Sequence, residues 1–547
     1  MKRCPECRRD YFDDTLLYCL DDGNALLEGP ASGSEPPTGV PAGVSPSGVA
    51  MSSGVQFGDE PQTAILNNIS SSPDAATRPR IDVTAGEKSA KNSIAVLPFV
   101  NMSADSENEY FCDGLAEEIL NALARVDRLK VAARTSAFSF KGRNAKVSEI
   151  AAALNVNSVL EGSVRKSNDR LRITAQIVNA EDGYQLWSDR YDREMKDIFD
   201  IQDEIAMAVV EALKIKLLGE ERATVLKRQT HNAEAYEFYL RGLSHFNKWT
   251  PTDFEKAIEN FQRAIAIDPN YASAFAALAD SFTELSFFSF SVADPGPRAR
   301  EAAERALQLD DGLAEAHNSL ALIKMYFDWD YAGAEAEFKR AVALNPGSAL
   351  IHMWYGWYLG LTGRFDESLT ELHRARELDP LSAPNNNAIG VVLHWSGETD
   401  RAIEQFVDVL ELNPNYPVTV AFLAEAYVEK GDLVSAVATI ERLASGTMDP
   451  QALSVMGYVY ARSGDRDKAL LIADEFAKRS GADYLPATNF AHIYAGLGDH
   501  EEALKWLAKA CDDRVTWVPF MRIDPKLAVL RTDPRFRELL KRAGFTA

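Results

Sequence analysis

A glycine returns at Gly363, Gly397, Gly431, Gly464 and Gly498, at intervals of 34, 34, 33 and 34 residues. A fixed period of that length predicts a solenoid of stacked helix pairs, in which each unit buries its apolar face only against its neighbours. Seven residues before each glycine stands a small residue (Gly356, Gly390, Ala424, Gly457, Ala491), and five after it another (Ser368, Ala402, Ala436, Ala469, Ala503). Small side chains there let the two helices of a hairpin approach closely, and the glycine takes the turn between them. The position four before the glycine is Leu or Tyr throughout, and Pro346, Pro380 and Pro414 recur where the second helix must stop.

These columns resemble tetratricopeptide repeats. Extending the register upstream through Ala257, Ala264, Pro269, Ala299, Ala306, Ala334 and Ala341 gives seven or eight repeats over 233–514. Two departures are expected: a lengthened loop at Asp294 to Pro297, and a turn at Trp329 that lacks glycine. Residues 515–547 lose the period but keep a helical run from Pro534 to Leu540, which reads as a helical cap on the open end of the stack.

The fold class expected is multidomain: a small zinc ribbon, a disordered linker, an α/β domain with a mixed sheet, and an all-α superhelix. Cys4 and Cys7 form a knuckle that places two thiolates on one turn; Cys19 and Asp22 repeat its spacing, with a carboxylate in the fourth place. Tetrahedral zinc accepts three thiolates and one carboxylate oxygen. Residues 1–27 resemble the short zinc ribbons that open many bacterial signalling proteins, which implies structural zinc on Cys4, Cys7, Cys19 and Asp22. Residues 28–92 are rich in Pro, Gly and Ser and read as a flexible tether.

Residues 93–220 predict strands at Ser93 to Phe99, Leu129 to Ala133, Val156 to Arg165, Arg170 to Asn179 and Tyr184 to Asp189. Helices are expected after Asp113, at Ser148 to Leu154 and at Ile198 to Leu218. The stretches SIAVLPF, YFCDGLAEEIL, ARTSAFSFKG, LEGSVRKSNDRLRITAQIV and GYQLWSDRYDREMKDIFDIQDEIA resemble the bacterial TolB N-terminal-like (FlgO-like) domain. The resemblance implies a non-catalytic module, found in relatives beside adenylate cyclase, Ser/Thr kinase or winged-helix regions. None of those effector signatures is visible here.

Chemistry agrees with that reading. The chain has no phosphate-cradling GxxxxGK[ST] loop, no HRD or DFG set, no GxSxG elbow and no HExxH. Neighbouring acids such as Glu117 and Glu118 diverge by about 100° on a helix and read as a solvated face. Arg134, Lys141, Arg143 and Lys146 form the densest basic patch of this segment and read as solvated surface, and Cys112 and Cys511 as buried small residues. A net charge of −23 counts against phosphate-backbone or anionic-lipid binding. With no long apolar run and no apolar signal core, the expectation is a cytoplasmic protein.

What remains is binding. The first helix of each repeat lines a concave groove at positions ten and six before the turn glycine, and to a lesser extent three before it. That selects Met353, Trp357, Asn387, Val391, His394, Glu425, Tyr458 and His492. An aromatic and mildly acidic groove suits protein partners that offer extended segments with apolar anchors and Lys or Arg. The expected function is a non-enzymatic protein–protein interaction scaffold of a bacterial signalling or regulatory system. The alternative is a nucleic-acid-linked transcriptional regulator that recruits through the ribbon, with the repeat array as sensor.

Overall fold

The computed structural model describes 92–545 apart from 127, 216, 218–221, 224, 290–294, 444–449 and 480–485, together with three short strands before 29. The chain forms two units, Met1–Arg78 and Pro79–Ala547. In the first, β1 (Lys2–Arg3) pairs antiparallel with β2 (Asp10–Tyr11) and with β3 (Leu27–Glu28). The four residues expected to bind zinc, Cys4, Cys7, Cys19 and Asp22, lie outside the described residues, as does nearly all of 28–92.

The second unit opens with a mixed sheet in the order β6-β4-β7-β8-β9, with β5 also pairing β7. Strands β4 (Ser93–Val96), β5 (Val100–Asn101) and β6 (Lys130–Val131) run parallel to their partners; β7 (Ser158–Ser167), β8 (Arg170–Asn179) and β9 (Gln185–Glu194) form an antiparallel end. The alternation of Leu171, Ile173, Ala175 and Ile177 buries one face of β8, where α1 (Glu109–Ala124) and α4 (Ile198–Ala212) complete the core. On the opposite face Ala95 and Val159 pack with α3 (Val147–Leu154), beyond the short α2 (Arg134–Phe138). Trp187 is half-buried against the core and Tyr191 is buried. Asp113 does not cap α1, which begins four residues earlier; it sits inside the helix, 2.6 Å from the ammonium of Lys141. Lys141 also pairs with Glu109, and Arg134 pairs with Glu117 at 2.8 Å, so half of the expected basic patch is neutralised.

Among the described residues eight helix pairs follow: α5 (Ala233–Phe246) with α6 (Pro251–Ile267), α7 (Ala272–Ser289) with α8 (Pro295–Leu309), α9 (Ala314–Ile323) with α10 (Tyr331–Leu344), and α11 (Ala349–Leu361) with α12 (Phe365–Leu378). Then come α13 (Ala383–Trp395) with α14 (Thr399–Leu412), α15 (Pro417–Lys430) with α16 (Leu433–Ile440), α17 (Pro450–Ser463) with α18 (Arg466–Arg479), and α19 (Ala487–Gly496) with α20 (His500–Asp512). The five turn glycines all have positive φ, between 75° and 88°, a region that costs other residues about 1–2 kcal/mol. The small residues after them are fully buried at the hairpin seams. Pro295 and Pro297 open α8 rather than forming a loop, because proline fits the first turn of a helix. At the turn without glycine, Trp329 itself adopts φ 60° after a π-turn over Lys324–Asp328.

The mixed-sheet domain packs against this array. Leu240 of α5 fills the space a Cβ would take at Gly114 of α1, and Lys166 pairs with Glu237 at 2.9 Å. At the far side, the buried Asp379 carboxylate accepts the backbone N–H of Ser136 at 2.9 Å, and the N–H of Leu381 donates to Ser136 Oγ at 2.8 Å. The domain thus touches both the first repeat and the turn that opens the fifth.

Residues 515–547 depart most from expectation. The helix α21 (Pro534–Arg542) packs on the last helix, through Arg535–Glu501 and Arg542–Asp512 ion pairs. Of the two 3₁₀ turns before it, Val518–Arg522 packs on α11 of the fourth repeat and on α20, and Pro525–Leu530 packs on α19, the first helix of the last repeat. The end of the chain reaches the Trp329 turn, where Phe545 stacks on Tyr331 at 4.5 Å and Tyr331 Oη donates to the Ala543 carbonyl. The segment therefore both caps the last helix, through Arg535 and Arg542, and acts as an internal strap, because Phe520, Met521, Leu527 and Leu530 are buried with side chains of the third, fourth and eighth repeats.

Candidate partner-binding groove

Helices α11, α13, α15 and α19 carry the side chains met by the strap. Phe520 lies among Trp357, Trp395 and Tyr326, with ring centroids 5.9, 5.7 and 6.1 Å away, and Trp357 also meets Trp395 edge-on at 4.9 Å. Arg522 donates to the Thr362 carbonyl at 2.8 Å, beside the Gly363 turn.

Farther along, four ionisable groups converge. Lys526 Nζ is 2.8 Å from Glu425 Oε2 and 3.4 Å from Asp524 Oδ2, and Asp524 Oδ2 is 3.0 Å from His492 Nε2. Burial opposes the charge on Lys526, but Asp524 and Glu425 outweigh it and raise its pKa. Burial likewise opposes ionisation of Asp524, yet Lys526 and His492 hold its carboxyl below the usual range. Glu425, only 3% exposed, is pushed up to about 7 by burial that Lys526 only partly offsets. His394 Nε2 lies 3.9 Å from Glu425; neither ring nitrogen has a hydrogen-bond partner among the described residues, and burial, with the Lys526 charge, lowers its pKa to about 4.

The eight residues selected from the repeat register divide into three groups. Trp357, His394, Glu425 and His492 face the strap or its charges. Asn387 is buried and accepts from Thr419 Oγ1 at 2.7 Å, so it ties α13 to α15. Met353 and Val391 are buried in one apolar cluster with Leu372 and Phe406, and Tyr458 packs against Gly496 of the next repeat; these three present no free surface in this state. The register did not single out Tyr326, Trp395, Phe520, Arg522, Asp524 or Lys526. Trp395 lies outside the columns used, but the run WVPFMRIDPK over 517–526 carries the apolar and basic character expected of a partner. Among the described residues no group of three or more His, Cys, Asp or Glu is placed to hold a metal ion, and no helix is long and apolar enough to cross a membrane.

Comparison with known proteins agrees with this architecture. Family models described as tetratricopeptide or TPR repeats match 253–285, 330–383, 396–457 and 487–512. The helical region is an array of tetratricopeptide repeats. The chain is 38% identical over 237 residues to a Rhizobium meliloti protein named "Putative adenylate cyclase 3", a stretch covering 43% of this chain and 40% of the relative. It is 30% identical over 158 residues to the transcriptional regulator HilA of Salmonella typhimurium, covering 29% of this chain and 28% of the relative. The chain thus spans well under half the length of either relative. A solved tetratricopeptide repeat protein from Parabacteroides merdae aligns at 14% identity with TM-score 0.37, covering 49% of this chain and all of that one.

Proposed function

We propose that the protein is a non-enzymatic, cytoplasmic interaction scaffold of a bacterial signalling or regulatory system, and that it binds an extended protein segment along the inner face of its repeats. The observation that carries this reading is the lining of these helices itself: an aromatic cluster of Trp357 and Trp395, and a buried acid, Glu425, with His394 at 3.9 Å. Aromatic anchors and a desolvated charge are the features that concentrate binding energy in a protein interface. The cyclase named in the Rhizobium relative fits a partner region shared with a signalling enzyme, and the chemistry of that name is not assigned to this chain. The mixed-sheet domain is proposed as a TolB N-terminal-like module that braces the array, and the four N-terminal residues Cys4, Cys7, Cys19 and Asp22 as a structural zinc site.

The test is affinity purification of the whole chain in parallel with Glu425→Lys and Trp357→Ala chains of matched helical content. A protein recovered with the first and lost with both variants supports the reading. Equal recovery by all three overturns it. The second reading, a transcriptional regulator, is favoured by the similarity to HilA and predicts that the N-terminal segment retains DNA, RNA or polymerase when the repeats are removed.

A further inference from the structure

The mixed sheet ends on β9, whose outer edge pairs with no strand among the described residues. The N–H and C=O groups on that side are a ready template for another strand, a hazard that proteins blunt with proline, a bulge, or lysines that meet a copy as like charges. β9 carries no proline, and its register shift against β8 falls between Gln185 and Trp187, outside the run from Ser188 to Glu194. The charges of that run are arranged otherwise than a guarded edge requires. Asp189, Arg190, Asp192 and Arg193 stand symmetrically about Tyr191, with the sign reversed from one side to the other. All four are exposed, whereas Tyr191 is buried.

In an antiparallel ladder two opposed residues either both turn their hydrogen-bonding groups toward each other or both turn them away. A strand that pairs with its own copy is therefore centred on a residue, and the choice of centre fixes every cross-strand pair. Centred on Tyr191, the ladder sets Asp189 opposite Arg193 of the second copy and Arg190 opposite Asp192 of the second copy, each twice by symmetry. No other centre pairs two opposite charges of this strand without also setting a like charge against its own copy. The two kinds of pair fall on opposite faces, because side chains alternate along a strand. Asp189 and Arg193 share the face of Tyr191; Arg190 and Asp192 lie on the other, where Arg172 of β8 already holds Asp192 at 2.9 Å. A second copy extends that row from Arg172 through Asp192 to its own Arg190.

Within one chain these charges are poorly matched. Asp189 forms no ion pair among the described residues, and its carboxylate accepts the backbone N–H of Arg190 at 2.7 Å. Arg193 reaches Glu204 only at 3.9 Å, and Arg190 reaches Asp192 only at 3.6 Å. Opposite charges directly across a ladder each add a modest attraction, and like charges there oppose pairing by similar amounts. The charges thus select register and orientation, while main-chain hydrogen bonds supply the hold.

We propose that the edge of β9 is a self-association surface, on which a second copy of this chain adds its own β9 antiparallel about Tyr191 and joins the two mixed sheets into one. The inference does not rest on the groove. Its consequence is an assembly with two repeat arrays, so that a partner carrying two recognition segments is held by both at once.

The test is sedimentation equilibrium of the full chain across a concentration series. The unaltered chain is expected to pass from the mass of one chain to that of two in the micromolar range, and a chain that stays single to about 100 μM overturns the proposal. Asp189→Arg and Arg193→Asp, made in separate chains, each set like charges opposite one another twice, and each is expected to weaken self-association at least about tenfold. Mixed in equal amounts, the two variants regain opposite charges at both places, and pairing of about the original strength is expected to return. Damage to the fold of either variant cannot produce that rescue. Self-association unchanged in both variants, or lost in both folded variants and not regained on mixing, overturns the proposal.

Hydrogen exchange on the unaltered chain serves where a variant fails to fold. Amides between Ser188 and Glu194 should exchange more slowly as concentration rises, while those of Arg170 to Asn179, already paired on both sides, stay constant. Exchange in Ser188 to Glu194 that does not change with concentration overturns the proposal by that route.

Discussion

Substituting Gly390 tests whether the repeat's small residues act through space or through backbone freedom. A Cβ at Gly390 would stand 2.4 and 2.6 Å from two ring carbons of Phe406, which is fully buried on the facing helix α14. Contact between carbons is comfortable only near 3.5–4.0 Å, so the ring or the helix must move by about an ångström. Overpacking of that kind costs about 1–3 kcal/mol, while alanine gains about 1 kcal/mol over glycine inside a helix, leaving a net loss of about 1 kcal/mol for Gly390→Ala. Phe406→Leu removes the ring, so in the double variant the clash vanishes and the helix gain remains. The two changes should couple favourably by about 2 kcal/mol, within the range found for residues in contact. Gly397 is the control. Nothing lies within 4 Å of its would-be Cβ, but its φ is 86°, so Gly397→Ala should cost about 1–2 kcal/mol and show no coupling to Phe406. Because repeat arrays open locally, the suitable assay is native-state hydrogen exchange over 383–412, supported by urea unfolding followed by circular dichroism. If Phe406→Leu fails to rescue Gly390→Ala, or rescues Gly397→Ala equally well, the steric account of the small-residue column is wrong.

Three further outcomes are expected. Freshly purified, reduced protein should contain about one zinc per chain, lost on Cys7→Ser; metal analysis of the two chains decides it. The protein should make no cyclic nucleotide and hydrolyse no ATP or GTP above a no-enzyme control, and turnover that survives repurification and disappears on a point change in residues 93–220 would refute the scaffold reading. Glu284 is pushed up to about 8 by burial and then by the nearby Asp280, itself at about 7 through burial. Folded protein therefore binds more protons than unfolded between about pH 4 and 8, and these groups withdraw stability as pH rises through that window. Glu284→Gln keeps the shape without the charge, so its Tm should exceed that of the unaltered chain by a few degrees near pH 8 and match it near pH 5; parallel shifts at both pH values would count against the buried carboxylate.

Much of the architecture was legible in the sequence because it is decided locally. The turn glycines at 363, 397, 431, 464 and 498 report a backbone torsion that other residues adopt only at a cost, and the small residues five positions later report the closeness of two helices joined by a few residues. The alternation over Arg170 to Asn179 likewise told which face of β8 is buried, and the antiparallel β7-β8-β9 end joins strands adjacent in the chain, whereas the parallel neighbours β6, β4 and β7 meet through crossovers. Trp329 shows the limit: its place in the period marked a turn, but not that a tryptophan would take the left-handed conformation with Arg514 stacked on it.

The course of residues 515–547 belonged to the tertiary structure alone. Each repeat adds a small rotation to the next, and only their accumulated curvature brings Tyr326 of the third repeat and His492 of the eighth to one segment, where Phe520 and Asp524 meet them. That curvature also decides which register positions are open. Val391 and Tyr458 stand six before the turn glycine, as Trp357 and Glu425 do, and Met353 ten before it, yet all three are consumed by packing between neighbours. The sequence could name the chemistry of a groove ligand, an extended segment with apolar anchors and Lys or Arg. Only the folded chain brings its own Phe520 and Lys526 there, because contacts separated by a hundred or more residues depend on the summed geometry of every repeat between them.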